Sequence, residues 1–180
     1  MTDFSYELKI PKERVAVLIG KRGKEKTFLE DETKTRINVD SKEGDVVITG
    51  NDAISLFSAR EMIKAIGRGF NPEAARLLLK QDYVFESINL ADFVKTKDHL
   101  KRIKGRIIGS SGKSRKVIEE LSESEICVYG KTVSMIGYVE SCGLARKAIE
   151  MLLRGSTHAT VYRWLEKERG KIKTMKFTPP

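Results

Sequence analysis

The sequence predicts an α+β chain of two small domains of one design, each a three-stranded antiparallel sheet covered by helices. Three observations carry this. The first is a pair of G-x-x-G tetrads, Gly20-Lys21-Arg22-Gly23 and Gly109-Ser110-Ser111-Gly112, the only two in the chain. The second is the apolar pattern around them. Aligned on the first glycine, Leu18-Ile19 matches Ile107-Ile108, Phe28-Leu29 matches Val117-Ile118, and Ile37 and Val39 match Ile126 and Val128. Glu30 and Glu119 also coincide, ten residues after that glycine. At this apolar content, unrelated windows would agree at all six apolar positions about two times in 100,000. The third is the offset of 89 residues, which makes each copy a domain rather than one turn of a solenoid.

Each element follows in order. "FSYELKI" (4–10) alternates as a strand does, with Phe4, Tyr6, Leu8 and Ile10 on one face. "KERVAVLI" is a short helix running into the first glycine turn, and "KEKTFLEDETK" (24–34) is a helix starting directly after it. "RINVD" and "DVVITG" are strands joined by a turn over 41–44. "DAISLFSAREMIKAIG" (52–67) is a helix with Asn51 or Asp52 as its cap and Ile54, Phe57, Met62, Ile63 and Ile66 roughly on one face. Gly67, Gly69 and Asn71-Pro72 mark a boundary, and Pro72 suits the first turn of a connecting helix, "PEAARLLLKQ".

The second copy repeats the order. "YVFESINLADF" (83–93) is strand-like, and "DHLKRIKGRII" (98–108) is a basic helix with Asp98 as its expected cap. "KSRKVIEELSE" (113–123) is the helix after the turn, "EICVYG" and "TVSMIG" are strands around Gly130-Lys131, and "ESCGLARKAIEMLLR" is the closing helix. One further helix, 156–170, has no counterpart in the first copy. Val161, Trp164 and Leu165 are expected to dock it on the second domain, with a loose basic tail after it. The organisation expected is a first domain over 1–70, a linker helix over 71–82, a second domain over 83–155, and a C-terminal helix and tail over 156–180. The short linker predicts two domains packed as one rigid body.

Composition narrows the partners. The net charge is +9 and apolar residues make up 40% of the chain, enough for real cores. Residues 81–180 hold 19 Lys+Arg against 12 Asp+Glu, whereas residues 1–80 hold 15 against 13. From Lys95 to Lys116 there are nine cations and one acid, Asp98. Such a stretch attracts polyanions, nucleic acid first. No apolar run is long enough to span a membrane. The start of the chain lacks a signal-peptide pattern, and two cysteines without C-x-x-C spacing suit a reducing compartment, so a cytoplasmic monomer is expected. Two cysteines and two histidines are too few for a metal cluster, and no cofactor is expected.

The loop chemistry points the same way. Glycine at both ends permits a sharp turn and leaves no Cβ to hold a ligand's backbone away. The helix starting at the loop presents amides without intrahelical partners and the positive end of its dipole, which together favour a phosphate. Cations at Lys21, Arg22 and Lys24 add to this in the first copy, and Lys101, Arg102, Lys104, Arg106, Lys113, Arg115 and Lys116 in the second.

"LIGKRGKEKTFLEDETKTRINV" and "RIIGSSGKSRKVIEELSESEICV" resemble the KH domain, over roughly 4–68 and 83–154. A leading strand and a closing helix match its type I topology. The resemblance implies that Gly20, Gly23, Gly109, Gly112 and the residues between them clamp about four nucleotides of single-stranded RNA or DNA. It also implies an apolar groove beside the second strand, to which Ile37, Val39, Ile126 and Val128 contribute unless they face the core. The pair of domains, the connecting helix and the run "ARKAIEMLLRGSTHATVY" look like the archaeal and eukaryotic KH factors of small-subunit ribosome maturation. That likeness implies binding near the 3′ end of small-subunit rRNA and partnership with the endonuclease that matures it. For an archaeal member it also implies contact with the alpha subunit of translation initiation factor 2. Eukaryotic relatives rely on the second domain, and the basic run of 95–116 favours it here too. The first loop is intact, so a protein adaptor role for that domain stays open beside RNA binding.

Catalysis is not expected. "GSSGKS" (109–114) ends like a nucleotide-binding P-loop, but the first glycine would fall at Ile107, and a helix rather than a strand precedes it. A Rossmann fingerprint fails for want of G-x-G.

Overall fold

The computed structural model describes residues 4–177, and the chain divides into two compact units, Met1–Gln81 and Asp82–Pro180. In the first unit β1 (Phe4–Lys9) leads into α1 (Lys12–Ile19), α2 (Lys24–Thr33), β2 (Arg36–Val39), β3 (Asp45–Gly50) and α3 (Ala53–Gly67). The antiparallel sheet has the order β1-β3-β2, so the last strand inserts between the other two and leaves β2 on an edge. The register pairs Ile37 with Ile48 and Leu8 with Val46. Leu18, Leu29, Ile37, Ile48, Met62 and Ile63 fill the core. Along β1 the apolar face is covered progressively. Phe4 is exposed, Tyr6 and Leu8 are half-buried, and Ile10 is buried.

The α3 helix begins where expected, because the Asp52 carboxylate accepts the Ser55 amide at 2.8 Å. Hydrogen bonds from Ser55 hold that carboxyl below its ordinary value of 3.8. Its apolar face differs from the expected one. Leu56, Ala59, Met62, Ile63 and Ile66 point inward, while Ile54 is 77% and Phe57 56% exposed. The guanidinium of Arg60 lies 5.1 Å from the Phe57 ring and 4.6 Å from that of Tyr6.

The connecting segment belongs to the first unit. It is one α-turn, α4 (Pro72–Ala75), capped by Asn71 and continued by a 3-10 turn over Arg76–Leu79, rather than a single helix. Ala75 and Leu78 are buried. Arg76 pairs with Glu25 at 2.8 Å and covers the Phe28 ring at 3.9 Å.

The second unit comprises β4 (Tyr83–Asn89), α5 (Lys97–Ile108), α6 (Lys113–Ser122), β5 (Ser124–Tyr129), β6 (Thr132–Tyr138), α7 (Val139–Leu153) and α8 (His158–Phe177). The sheet order β4-β6-β5 repeats the first. Three boundaries differ from expectation. The β4 strand stops at Asn89, whose side chain accepts the Ala91 amide and opens a 3-10 turn over Leu90–Asp92. Thr96, not Asp98, caps α5, accepting the His99 amide at 3.2 Å. The last helix absorbs most of the expected loose tail, reaching Phe177, and residues 178–180 lie outside the described residues. Val161 and Leu165 are fully buried and Trp164 packs at the core's edge, as expected for a docked helix.

The internal repeat runs deeper than the apolar pattern. Thr33 donates to the Leu29 carbonyl and bonds Thr35, and Ser122 does the same with Ile118 and Ser124, at identical distances of 2.6 and 2.8 Å. Both helices then end on a left-handed non-glycine residue, Lys34 (φ 51°) and Glu123 (φ 58°).

Candidate nucleic-acid interface

The two G-x-x-G loops have one backbone conformation. Gly20 and Gly109 share φ 73° with ψ 175° and 176°. Arg22 and Ser111 are left-handed at φ 55° and 53°, and Gly23 and Gly112 at 77° and 75°. The first glycine closes the preceding helix, its amide bonding Ala16 or Gly105 at 2.9 and 2.8 Å. A Cβ at Gly20 would stand 2.6 Å from Glu25 Cγ, and one at Gly109 would stand 2.7 Å from Ser114 Cβ. The residue five positions on therefore packs directly beneath the turn. The second glycine meets nothing within 4 Å. Its left-handed φ sets the turn, and the space above it is open to a ligand.

No side chain caps α2 or α6, so their first turns keep amides for an external acceptor. Lys21, Arg22 and Lys24 stand exposed around the first loop. Ser110, Ser111, Lys113 and Lys116 do so around the second, with Lys101 and Arg102 exposed on α5. The loop geometry forces Arg22 and Ser111 into a backbone region that costs a non-glycine residue about 1 kcal/mol.

Two expected phosphate contacts are bonded to backbone carbonyls, and a third faces a carboxylate. Arg106 donates to the Ser156 carbonyl at 2.6 Å, while its own carbonyl bonds His158 Nε2 at 2.8 Å. It thereby ties the end of α5 to the α7–α8 connection. Lys104 donates to the Gly130 carbonyl at 2.8 Å and pins the β5–β6 turn. Arg115 Nε faces Glu119 at 3.8 Å.

The groove assignment also needs correction. Ile126 is 3% exposed and sits in the core, as Ile37 does at 2%. Val128 and Val39 are half-buried, so only these two reach the rim of the helical layer. Alternation turns each pair to the same face, and position along the edge strand separates core from rim.

One repeated pair is marked in the sequence by its shared offset, and its role comes from the fold. Glu30 accepts the Ile37 amide at 2.7 Å, and Glu119 accepts the Ile126 amide at 2.8 Å. A cation four residues earlier accompanies each, Lys26 at 3.4 Å and Arg115 at 3.8 Å. Burial raises the Glu119 carboxyl above its ordinary value of 4.5, against the pull of the Ile126 amide and Arg115.

Residues 84–170 match the Eukaryotic type KH-domain (KH-domain type I), and residues 5–65 match the KH domain. A KH domain-containing protein of Methanocaldococcus jannaschii is 45% identical over 94% of this chain and 76% of its own length. This chain belongs to the KH-domain family, in its PNO1/Dim2 branch. Within that branch, the RNA-binding protein PNO1 of Oryzias latipes is 34% identical over 62% of this chain and 46% of its own length. The chain thus spans about half the length of such eukaryotic relatives. The Dim2p chain in the a/eIF2alpha-aDim2p-rRNA complex of Pyrococcus horikoshii is similar at a TM-score of 0.89 and 45% identity, over 94% of this chain and 96% of that one. Both KH domains here are type I, with the αα turn of each carrying an intact G-x-x-G loop.

Proposed function

We propose that this chain is an RNA-binding factor of small ribosomal subunit biogenesis, gripping single-stranded RNA near the 3′ end of small-subunit rRNA. The second KH domain is the principal reader. The observation that carries this is the charge beside its loop: an uncapped helix start and an open Gly112, as in the first domain, with Lys113 and Lys116 exposed on α6 and Lys101 and Arg102 exposed on α5. A backbone phosphate over the loop meets free amides and cations, while the neighbouring rim residues Ile108, Val117 and Val128 offer half-buried apolar surface to bases. The rRNA and initiation-factor complex of the Pyrococcus horikoshii protein supports the same reading. By this reading the chain works as a monomer in the cytoplasm and catalyses no step. It brings the rRNA-maturation endonuclease and the alpha subunit of translation initiation factor 2 to the RNA.

The test is an oligonucleotide with the 3′-terminal sequence of small-subunit rRNA. Binding is compared between wild type, Ser110→Asp/Ser111→Asp and Lys21→Asp/Arg22→Asp, each checked for fold by circular dichroism. Loss of at least tenfold in affinity is expected for the first pair. Wild-type affinity should also fall steeply with salt, since several phosphates are neutralised. Unchanged binding by both variants would sink the loop mechanism.

A second reading gives the first domain a protein partner. The exposed Ile54 and Phe57 favour it, because large apolar side chains left at the surface suit a protein contact better than a phosphate. In that case Lys21→Asp/Arg22→Asp leaves RNA affinity intact.

A further inference from the structure

The glutamates at the edge strands do something that neither loop explains. In both domains the α-helix after the loop sends a carboxylate across to the amide of the residue in the middle of the sheet's edge strand. Ile37 and Ile126 lie on β2 and β5, which are outer strands of their sheets. Their amides point away from the neighbouring strand, since glutamate takes them. An edge amide is the natural donor for whatever lies alongside the strand. Here it is already occupied, and by an anion.

A carboxylate has about four acceptor positions, and the amide uses one. In the first domain the same oxygen, Oε1, also faces Lys26, and Glu30 lines an open groove of about 1150 Å³ with Lys26, Asp31, Lys34, Arg36 and Asn38, whose wall includes no residue of the loop over 20–24. In the second domain the amide takes Oε1, and Oε2 faces Arg115 at 3.8 Å, too long for a good hydrogen bond, with Lys116 and Glu125 also near enough to act on the carboxylate. Both carboxylates are mostly but not fully covered, with 24% and 20% of the side chain exposed. Each is thus fixed by a backbone bond with acceptor capacity left over, beside the strand where bases are to lie. An edge amide alone would favour a base acceptor. The glutamate reverses that polarity.

We propose that Glu30 and Glu119 are specificity-determining residues. Each holds one acceptor on the edge-strand amide and offers another to the amino group of a base, favouring cytosine over uracil in the groove. This rests on the RNA-binding reading above. Cytosine and uracil differ at the 4-position, where one carries an amino donor and the other a carbonyl acceptor, so a carboxylate accepts from the first and repels the second. The repetition of the same bond, cation and strand position in two domains argues against a chance contact. A purely structural latch would leave base preference untouched.

The experiment compares binding of octacytidylate and octauridylate to the full chain, as wild type, Glu119→Gln, Glu30→Gln and the double variant. Glutamine keeps an oxygen for the Ile126 or Ile37 amide and turns an amino group toward the groove, so the fold is preserved and the exposed chemistry inverted. Amide hydrogen exchange at Ile126 and Ile37 checks that the bond persists. The cytosine-to-uracil affinity ratio should fall at least fivefold in Glu119→Gln, and further in the double variant. A ratio within twofold of wild type, with both amides still protected, overturns the proposal and leaves the RNA-binding reading standing. Equal weakening toward both oligonucleotides also overturns it, because that is the signature of a structural role. If wild type binds neither, the RNA-binding reading fails first and this one with it.

Discussion

The two KH domains share a loop and differ in what holds it. In the first, the residue beneath the turn is Glu25, drawn aside by Arg76 of the connecting segment. In the second it is Ser114, 97% buried and with no partner for its hydroxyl. In the first, Arg14 ties α1 to the end of α3 and the turn beyond, through the carbonyls of Ile66 and Phe70 at 2.8 and 2.6 Å. In the second, Arg106 performs the equivalent tie from another position in the helix, to Ser156. The loop dihedrals nonetheless agree within a few degrees. The comparison teaches that two glycines and a close-packed neighbour set the turn. The identity of the two central residues, Lys-Arg or Ser-Ser, does not.

The largest effect that would break this view comes from the glycines themselves. Gly109→Ala places a Cβ 2.7 Å from both the backbone nitrogen and Cβ of Ser114, in a left-handed conformation. It should cost the second domain about 2–4 kcal/mol in urea unfolding, combining overpacking with backbone strain. Gly112→Ala meets open space and should cost only the backbone term, about 1 kcal/mol. Equal losses would mean that the two ends of the loop are not built differently.

A smaller effect sharpens the role of the arginine ties. Arg106→Ala removes the bond to Ser156 and should destabilise the start of α8 by about 1 kcal/mol. Faster hydrogen exchange at the Val161 amide, which bonds the Thr157 carbonyl, is the readout. Unaltered exchange there would show that α8 is held by Val161 and Leu165 alone.

The smallest effect concerns the edge glutamates and their difference in environment. Burial raises the Glu119 carboxyl above 4.5 in the folded chain. A raised folded value means that the folded state binds the proton more readily than the unfolded chain. Stability from this group is therefore full below about pH 4.5 and is lost as pH rises through the raised value. Glu119→Gln, neutral throughout, should lift the second domain's melting temperature by about 1–2 °C at pH 7. The gain should shrink toward zero as pH falls below 4.5. A gain that grows on acidification would contradict burial as the dominant cause.

The order of elements, the duplication and the two glycine turns are legible along the chain. These rest on local physics. A strand alternates, a helix repeats every 3.6 residues, and a left-handed turn needs glycine wherever it occurs. The hydroxyl pairs Thr33–Thr35 and Ser122–Ser124 keep the same offsets along the chain, but nothing in the sequence shows that their side chains meet. Glu30 and Glu119 coincide along the chain, but only the fold shows that a helix side chain reaches the edge of the sheet seven residues on.

Which cations remain available and which apolar side chains face outward depends on how distant segments pack. Arg106 and Lys104 read as phosphate ligands in a basic run, yet each donates to a carbonyl at least 26 positions away. Ile126 and Val128 share a strand face, and only the extent of the covering helices leaves one in the core and the other at the rim. Ile54 and Phe57 fit the apolar period of α3 but lie beyond its packed stripe. Periodicity is set by bonds a few residues apart. Partnership is set by contacts between distant segments, and charge or hydropathy read along the chain carries no measure of that distance.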